Sequence, residues 1–275
     1  MEYSKFQQSV IEAIKGCKSE IKNCCENAIL HLEKAWEIRN IDKEMAVFRG
    51  ITAEEEASVA IFYCLKSHQY VNANKLQFKL HSTKLGLYPF LRHVGNFLSG
   101  TLFTDSSPFE NHRLIIIEVS DRKAIELVFK IKGQDLDVRP LPPLHFNISD
   151  HKTGEIKTFD IDFKKMYLGD NYTDSLKYIK DVANQRNRLL YANSAGKPQV
   201  NGDIEKYLDV QKMKVFLFII IILLIDPWEK TQGSSGFVQQ ALDSYLLLLE
   251  RIEKEEIIQP NKTLNADSGN SLAAG

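Results

Sequence analysis

The stretch that decides the fold runs from Asn27 to Ser58 and reads NAILHLEKAWEIRNIDKEMAVFRGITAEEEAS. Apolar residues recur in it every three or four positions, which is the period of an α-helix with one buried side. Asp42 interrupts the pattern and is a favourable helix N-cap, so we predict two consecutive helices, over 19–39 and 42–67. Two long helices with apolar stripes bury them against each other, which predicts a helical bundle.

The same helical period returns on both sides of this pair. It predicts further helices over 4–15, 74–99, 174–192, 204–225 and 237–258. Gly86 and Pro89 fall inside the segment 74–99, where a glycine and a proline kink a helix or split it in two. Asp174 or Thr173 is the expected N-cap of the segment that runs to 192.

The middle of the chain has a different pattern. Ile125, Leu127, Phe129 and Ile131 alternate with other residues, which indicates a strand, and a turn-rich loop over 150–154 separates two further short segments. We expect a loop over 101–112 and three or four antiparallel strands between about 112 and 164. A helix over 120–131 is the alternative, because the apolar residues there also fit a period of about 3.6.

The predicted fold is therefore mainly α, a helical bundle with a small antiparallel β insertion in the middle of the chain. We divide the chain into N-terminal bundle helices (1–111), the β insertion (112–167), C-terminal helices of the same bundle (168–258) and a tail (259–275). The tail is polar and rich in small residues, and we expect it to be disordered.

Composition narrows the functional classes. The 275 residues carry a formal net charge of −1, so no bulk electrostatic attraction draws the chain to nucleic acid or anionic lipid. Cys17, Cys24, Cys25 and Cys64 lack zinc-site spacing, which indicates reduced thiols in the cytoplasm and no metal or other cofactor. The N-terminus has no secretory signal pattern, and the most apolar run, 215–225, is too short to span a membrane.

Two groups of charged residues stand on sides of helices that should be buried. Glu54, Glu55 and Glu56 follow one another, and since helical residues are about 100° apart, at least one must face the core, with Glu55 fitting best. Arg186 falls on the apolar stripe of the helix 174–192. A guanidinium that faces a core is costly unless it is paired, so we predict an ion pair between Arg186 and Glu55.

This pair has two interpretations, a structural ion pair that fixes helix register or a polar site that faces a cleft. For the second, an arginine and a polar residue followed one turn later by a hydroxyl can bind a phosphate. The candidate catalytic residues are Arg186, Asn187 and Tyr191. The candidate binding or supporting residues are Arg49, Glu54, Glu55, His81, Lys84 and Arg188.

These residues resemble the HEPN superfamily, and most closely its AbiV-type abortive-infection proteins. The similar motifs are the segment that begins with Asn27-Ala28, the Ala53-Glu54-Glu55 run, the pair His81 and Lys84, and the segment from Arg186 to Tyr191. The resemblance covers about residues 20–95 and 174–225. It implies a dimeric helical bundle and a metal-independent endoribonuclease that acts in defence against phage. The family's Arg-x(4–6)-His motif is incomplete here, since Tyr191 stands where the histidine would be.

Two other functions remain open at this point. The chain is alternatively a non-catalytic helical scaffold or sensor that binds a partner protein or a small ligand through the β insertion or the acidic cluster. A third interpretation is a peripheral membrane effector that uses the apolar run 215–225.

Overall fold

The computed structural model describes residues 1–119, 122–145, 148–149, 152–157, 159, 163, 170–190, 199–225 and 234–258. The protein is mainly helical with a small three-stranded antiparallel sheet in the middle of the chain, which confirms the predicted fold class. The α-helices are α1 (Lys5–Ile14), α2 (Ser19–Ile38), α3 (Lys43–Ser67), α4 (His81–Leu85), α5 (Leu87–Leu102), α6 (Asp170–Leu190), α7 (Ile204–Ile225) and α8 (Gly236–Ile258).

Side-chain caps fix the starts of two N-terminal helices. The Ser4 hydroxyl accepts a hydrogen bond from the backbone N–H of Gln7, and the side-chain oxygen of Gln7 accepts one from the backbone N–H of Ser4, so α1 begins with a capping box. The carboxylate of Asp42 accepts from the backbone N–H of Met45 at 2.9 Å, and the predicted N-cap of α3 is confirmed. α6 begins earlier than predicted, at Asp170.

A single continuous helix over the predicted range 74–99 is not observed. The segment is divided into shorter helices, and the prediction is wrong for residues 76–80. A short 3₁₀ turn covers Ala73–Lys75, residues 76–80 are not helical, and α4 and α5 meet at Gly86. Pro89 is the third residue of α5, where its missing N–H costs nothing because the first turn of a helix has no internal acceptor for it. The division leaves α4 as a separate short helix that bears His81 and Lys84.

The β insertion consists of one long antiparallel pair of strands and three strands of two residues each. The strands are β1 (Phe109–Val119), β2 (Arg122–Ile131), β3 (Asp137–Val138), β4 (Ile148–Ser149) and β5 (Ile156–Lys157), in sheets ordered β1-β2-β3 and β4-β5. The alternative of a helix over 120–131 is wrong. Ala124, Ile125, Val128 and Phe129 are the buried residues of β2, so both faces of the strand are covered, and this produced the misleading helical period. The predicted loop over 101–112 is shorter, since β1 starts at Phe109.

The core forms around α3, which is buried on several sides and packs against α2 and α7. The sheet lies on the bundle of its own chain, because β2 contacts α1 and α7. All four cysteines are free thiols, and Cys25 and Cys64 are buried. Within the ranges that the structure describes, no helix combines the length and apolar character needed to cross a bilayer. The expected disordered tail, 259–275, lies outside the described residues.

Candidate functional site

Three basic side chains from two helices converge on the carboxylate of Glu55, which is only 4% exposed on α3. His81 Nδ1 lies 2.7 Å from one carboxylate oxygen, and Lys84 Nζ lies 2.7 Å from the other. Arg186 Nε lies 3.7 Å from the oxygen that His81 contacts. The predicted ion pair between Arg186 and Glu55 is therefore present. We call Glu55, His81, Lys84 and Arg186 the Glu55 cluster.

Local structure explains why α4 delivers two residues to this cluster. His81 and Lys84 are three positions apart on a helix, so their side chains lie on the same face. The hydroxyl of Ser58 on α3 donates to the backbone carbonyl of Lys84 at 3.0 Å. On the other side of α4, the hydroxyl of Tyr245 donates to the carbonyl of Thr83. α4 is thus held between α3 and α8, and its orientation does not depend on solvent-exposed contacts.

Arg186 reaches the cluster from α6 and retains a solvent-facing part. Its side chain is 22% exposed, and the guanidinium carbon lies 5.0 Å from the centre of the Phe48 ring. Its Nε is buried without a hydrogen-bond partner among the described residues. An aromatic face attracts a guanidinium, so Phe48 and Glu55 together hold Arg186 in place.

The cluster has more positive than negative charge. One carboxylate, Glu55, faces two cations, Lys84 and Arg186, beside the imidazole of His81. The His81 and Arg186 side chains are accessible to solvent, at 40% and 22% exposed. Such a centre attracts an anion, and a phosphate suits the several N–H donors available.

The neighbouring Glu54 belongs to a separate network, in which Glu54 and Lys214 are buried and Tyr178 is half-buried. Lys214 on α7 donates to one of its oxygens at 2.9 Å, and the Tyr178 hydroxyl on α6 donates to the other at 2.8 Å. Lys214 also donates to the Tyr178 hydroxyl and lies over the rings of Tyr88 and Tyr178. Burial, and then the charge of Glu54, raise the pKa of Tyr178, which stays protonated. The Glu54 network has no net charge.

Sequence reasoning did not find Lys214 or Tyr178. It placed Glu54 beside the candidate site but assigned no role to Lys214, which directly precedes the apolar run 215–225. Helical period gave no signal for Lys214, because α7 has apolar residues around most of its circumference and the burial of Lys214 is seen only in the structure. A lysine at such a position requires a carboxylate partner.

The remaining predicted site residues lie elsewhere or outside the described ranges. Arg49 is directed to α2, where its Nη1 lies 3.4 Å from His31 Nδ1. Asn187 and Arg188 are exposed on α6, and no hydrogen bond or ion pair between described residues joins them to the Glu55 cluster. Tyr191 lies outside the described residues.

A metal site is not apparent in the part of the chain that the structure describes, where no group of His, Cys, Asp and Glu side chains could hold an ion. Comparison of the chain with protein-family models, with curated proteins and with solved structures finds no match. The side-chain chemistry of the Glu55 cluster is therefore the main basis for assigning a function to this protein.

Proposed function

We propose that this protein is a HEPN-like effector that cleaves RNA without a metal ion, with His81, Lys84 and Arg186 as its working groups. One observation carries the proposal: His81 and Arg186 contact the same oxygen of Glu55, so an imidazole lies beside the arginine. The histidine absent from the sequence after Arg186 is thereby replaced in space by one from α4.

The arrangement suits transphosphorylation by the 2′-hydroxyl of RNA. With Nδ1 bonded to Glu55, His81 presents Nε2 as the general base that takes the 2′-hydroxyl proton. The 2′-oxygen attacks the adjacent phosphorus, the bond from phosphorus to the 5′-oxygen breaks, and that oxygen takes a proton from water. The products are a 2′,3′-cyclic phosphate and a 5′-hydroxyl. Lys84 and Arg186 stabilise the negative charge on the phosphorus centre.

The wider role rests on the resemblance to abortive-infection proteins, which assigns the effector to phage defence in the bacterial cytoplasm as a homodimer. Supporting this assembly, α7 exposes Val210 and Met213, two apolar residues one turn apart on the same side of the helix. Asn187 and Tyr191, which follow Arg186, remain the sequence-based candidates for additional catalytic contacts.

The test is incubation of the purified protein with total RNA and with tRNA, followed by analysis of product ends. Wild-type protein should cleave and leave cyclic phosphates, while Arg186→Ala and His81→Ala should lose at least about 100-fold in rate, the scale of general acid–base and electrostatic contributions. Arg188→Ala is the matched control, because it removes an exposed arginine from the same helix. Equal cleavage by wild type and both site variants would refute the proposal.

A non-catalytic scaffold or sensor is the second candidate function. The observation in its favour is that His81 and Lys84 already occupy both oxygens of Glu55, as in a structural network. A wild-type protein that binds RNA or another anion through Arg186 but cleaves nothing would support this function instead.

A further inference from the structure

We infer that Arg49 and His31 form a second anion subsite, which binds another phosphate of the strand held at the Glu55 cluster. The inference rests on the proposed function, since it assigns more of the same substrate. Arg49 is not part of the Glu55 cluster. Its side chain turns from α3 towards α2, where its hydrogen-bond partner is His31.

Hydrogen-bond chemistry fixes the proton on His31. A guanidinium donates and never accepts, so in the 3.4 Å contact with Arg49 Nη1 the Nδ1 atom of His31 is the acceptor. The ring proton is then on Nε2, which makes that atom a donor. Burial, and then the charge of Arg49, lower the pKa of His31, which keeps this neutral tautomer. The pair therefore offers N–H donors from both side chains.

No carboxylate neutralises the charge of Arg49 among the described residues, in contrast to that of Arg39. Arg39 lies 2.8 Å from Glu205, whereas no ion pair of Arg49 is found within the ranges that the structure describes. The nearby carboxylate is Glu56, whose charge opposes the lowering of the His31 pKa but is the smallest of the three effects on it. Glu56 is seven residues beyond Arg49, about 10 Å along the helix axis. A half-buried guanidinium without a carboxylate is suited to an anionic ligand.

The position of the pair matches a strand rather than a single phosphate. Arg49 and Glu55 are six residues apart on α3, which separates their Cα atoms by about 9 Å along the axis and their side chains by about 120° around it. Both belong to one helix, so this spacing is fixed. Half-buried Thr52 lies between them on α3. A single-stranded oligoribonucleotide with several phosphates can contact both centres, and a compound with one phosphate cannot.

The test measures binding of a fluorescently labelled oligoribonucleotide with 2′-O-methyl groups, which cannot undergo attack by a 2′-hydroxyl, over a series of salt concentrations. Arg49→Gln should weaken binding about tenfold, the loss expected for a charge-assisted hydrogen bond. It should also lower the slope of log K against log salt by about 0.7, the contribution of one contact to a single-strand phosphate. Arg39→Gln is the matched control, with the same charge change at an arginine already paired with Glu205.

The outcomes separate the two levels of the proposal. Equal affinities and equal salt slopes for Arg49→Gln, Arg39→Gln and wild type would overturn the second subsite and leave the proposed function standing. Failure of Arg186→Gln to weaken binding, or no binding by wild type, would overturn the proposed function itself. A dinucleoside monophosphate serves as a control ligand in competition experiments. Because it carries a single phosphate, its affinity for Arg49→Gln should equal its affinity for the wild-type protein. Circular dichroism confirms that each variant is folded.

Discussion

Removal of the buried ammonium of Lys214 should destabilise the protein far more than removal of a half-buried one that pairs with an exposed carboxylate on the same helix. Lys214 is 6% exposed and its partner Glu54 is fully buried, so Lys214→Met leaves a carboxylate inside the bundle with only the Tyr178 hydroxyl as donor. Breaking a buried ion pair from one side costs about 3–5 kcal/mol. Lys212→Met is the control: its partner Asp209 is 56% exposed, and such pairs contribute about 0–1 kcal/mol.

The double variant Glu54→Gln with Lys214→Met tests the reason for this loss. The glutamine introduced on α3 would carry no charge and would still accept from Tyr178, and only its amide N–H would lack a partner, at a cost of about 1–3 kcal/mol. The double variant should therefore be more stable than Lys214→Met alone. Urea denaturation followed by circular dichroism at fixed pH measures the stabilities of Glu54→Gln, Lys214→Met and the double variant. A double variant as unstable as the sum of the two single changes would refute the view that an unpaired buried charge causes the loss.

Four further substitutions test other parts of the fold. Gly50→Ala should lower the free energy of unfolding by about 1–3 kcal/mol, because the new Cβ would lie 3.1 Å from the Tyr207 side chain. Gly95→Ala is the control: a Cβ there meets nothing within 4 Å, so the change should stabilise α5 by about 0.5–1 kcal/mol in thermal or urea unfolding. Asp42→Ala should lose about 1 kcal/mol of stability with the cap of α3, which the same denaturation series would show. Because the pKa of His31 is lowered in the folded protein, the unfolded chain binds a proton there more readily, and the free energy of unfolding should fall as pH drops below about 6.5. His31→Gln should flatten that part of the curve of stability against pH. An unchanged curve would contradict the neutral state of His31 in the folded protein.

Helical periodicity was sufficient to find the residues whose own helix has one clear apolar side. In α6 the buried residues Ile179 and Leu189 define that side, and Arg186 lies between them on it, so a paired guanidinium could be predicted. The same reasoning placed Glu55 at the core side of α3. Their meeting at 3.7 Å follows because each charge needed a partner and the bundle offered the other.

Periodicity fails where a helix is apolar on every side or where tertiary packing sets its ends. α7 has apolar residues around most of its circumference, so no stripe shows that Lys214 faces α3. The short α4 exists because the chain breaks at Gly86 and is held by Ser58 and Tyr245, which are far away in sequence. In a continuous helix over 74–99, periodicity alone does not place His81 beside Arg186, although both were candidate site residues.

The two adjacent glutamates perform different tasks because neighbouring helical residues point about 100° apart. Glu54 faces α6 and α7, where Lys214 cancels its charge inside the core, and Glu55 faces α4 and α6, where the cations outnumber it. If Lys214 were absent, the negative charge of Glu54 would be uncompensated. It would then act on the neighbouring Glu55 cluster through the low-dielectric interior and offset the surplus positive charge of that cluster. We therefore expect Lys214→Met to weaken binding of an anionic oligoribonucleotide at the Glu55 cluster, although Lys214 itself does not belong to that cluster.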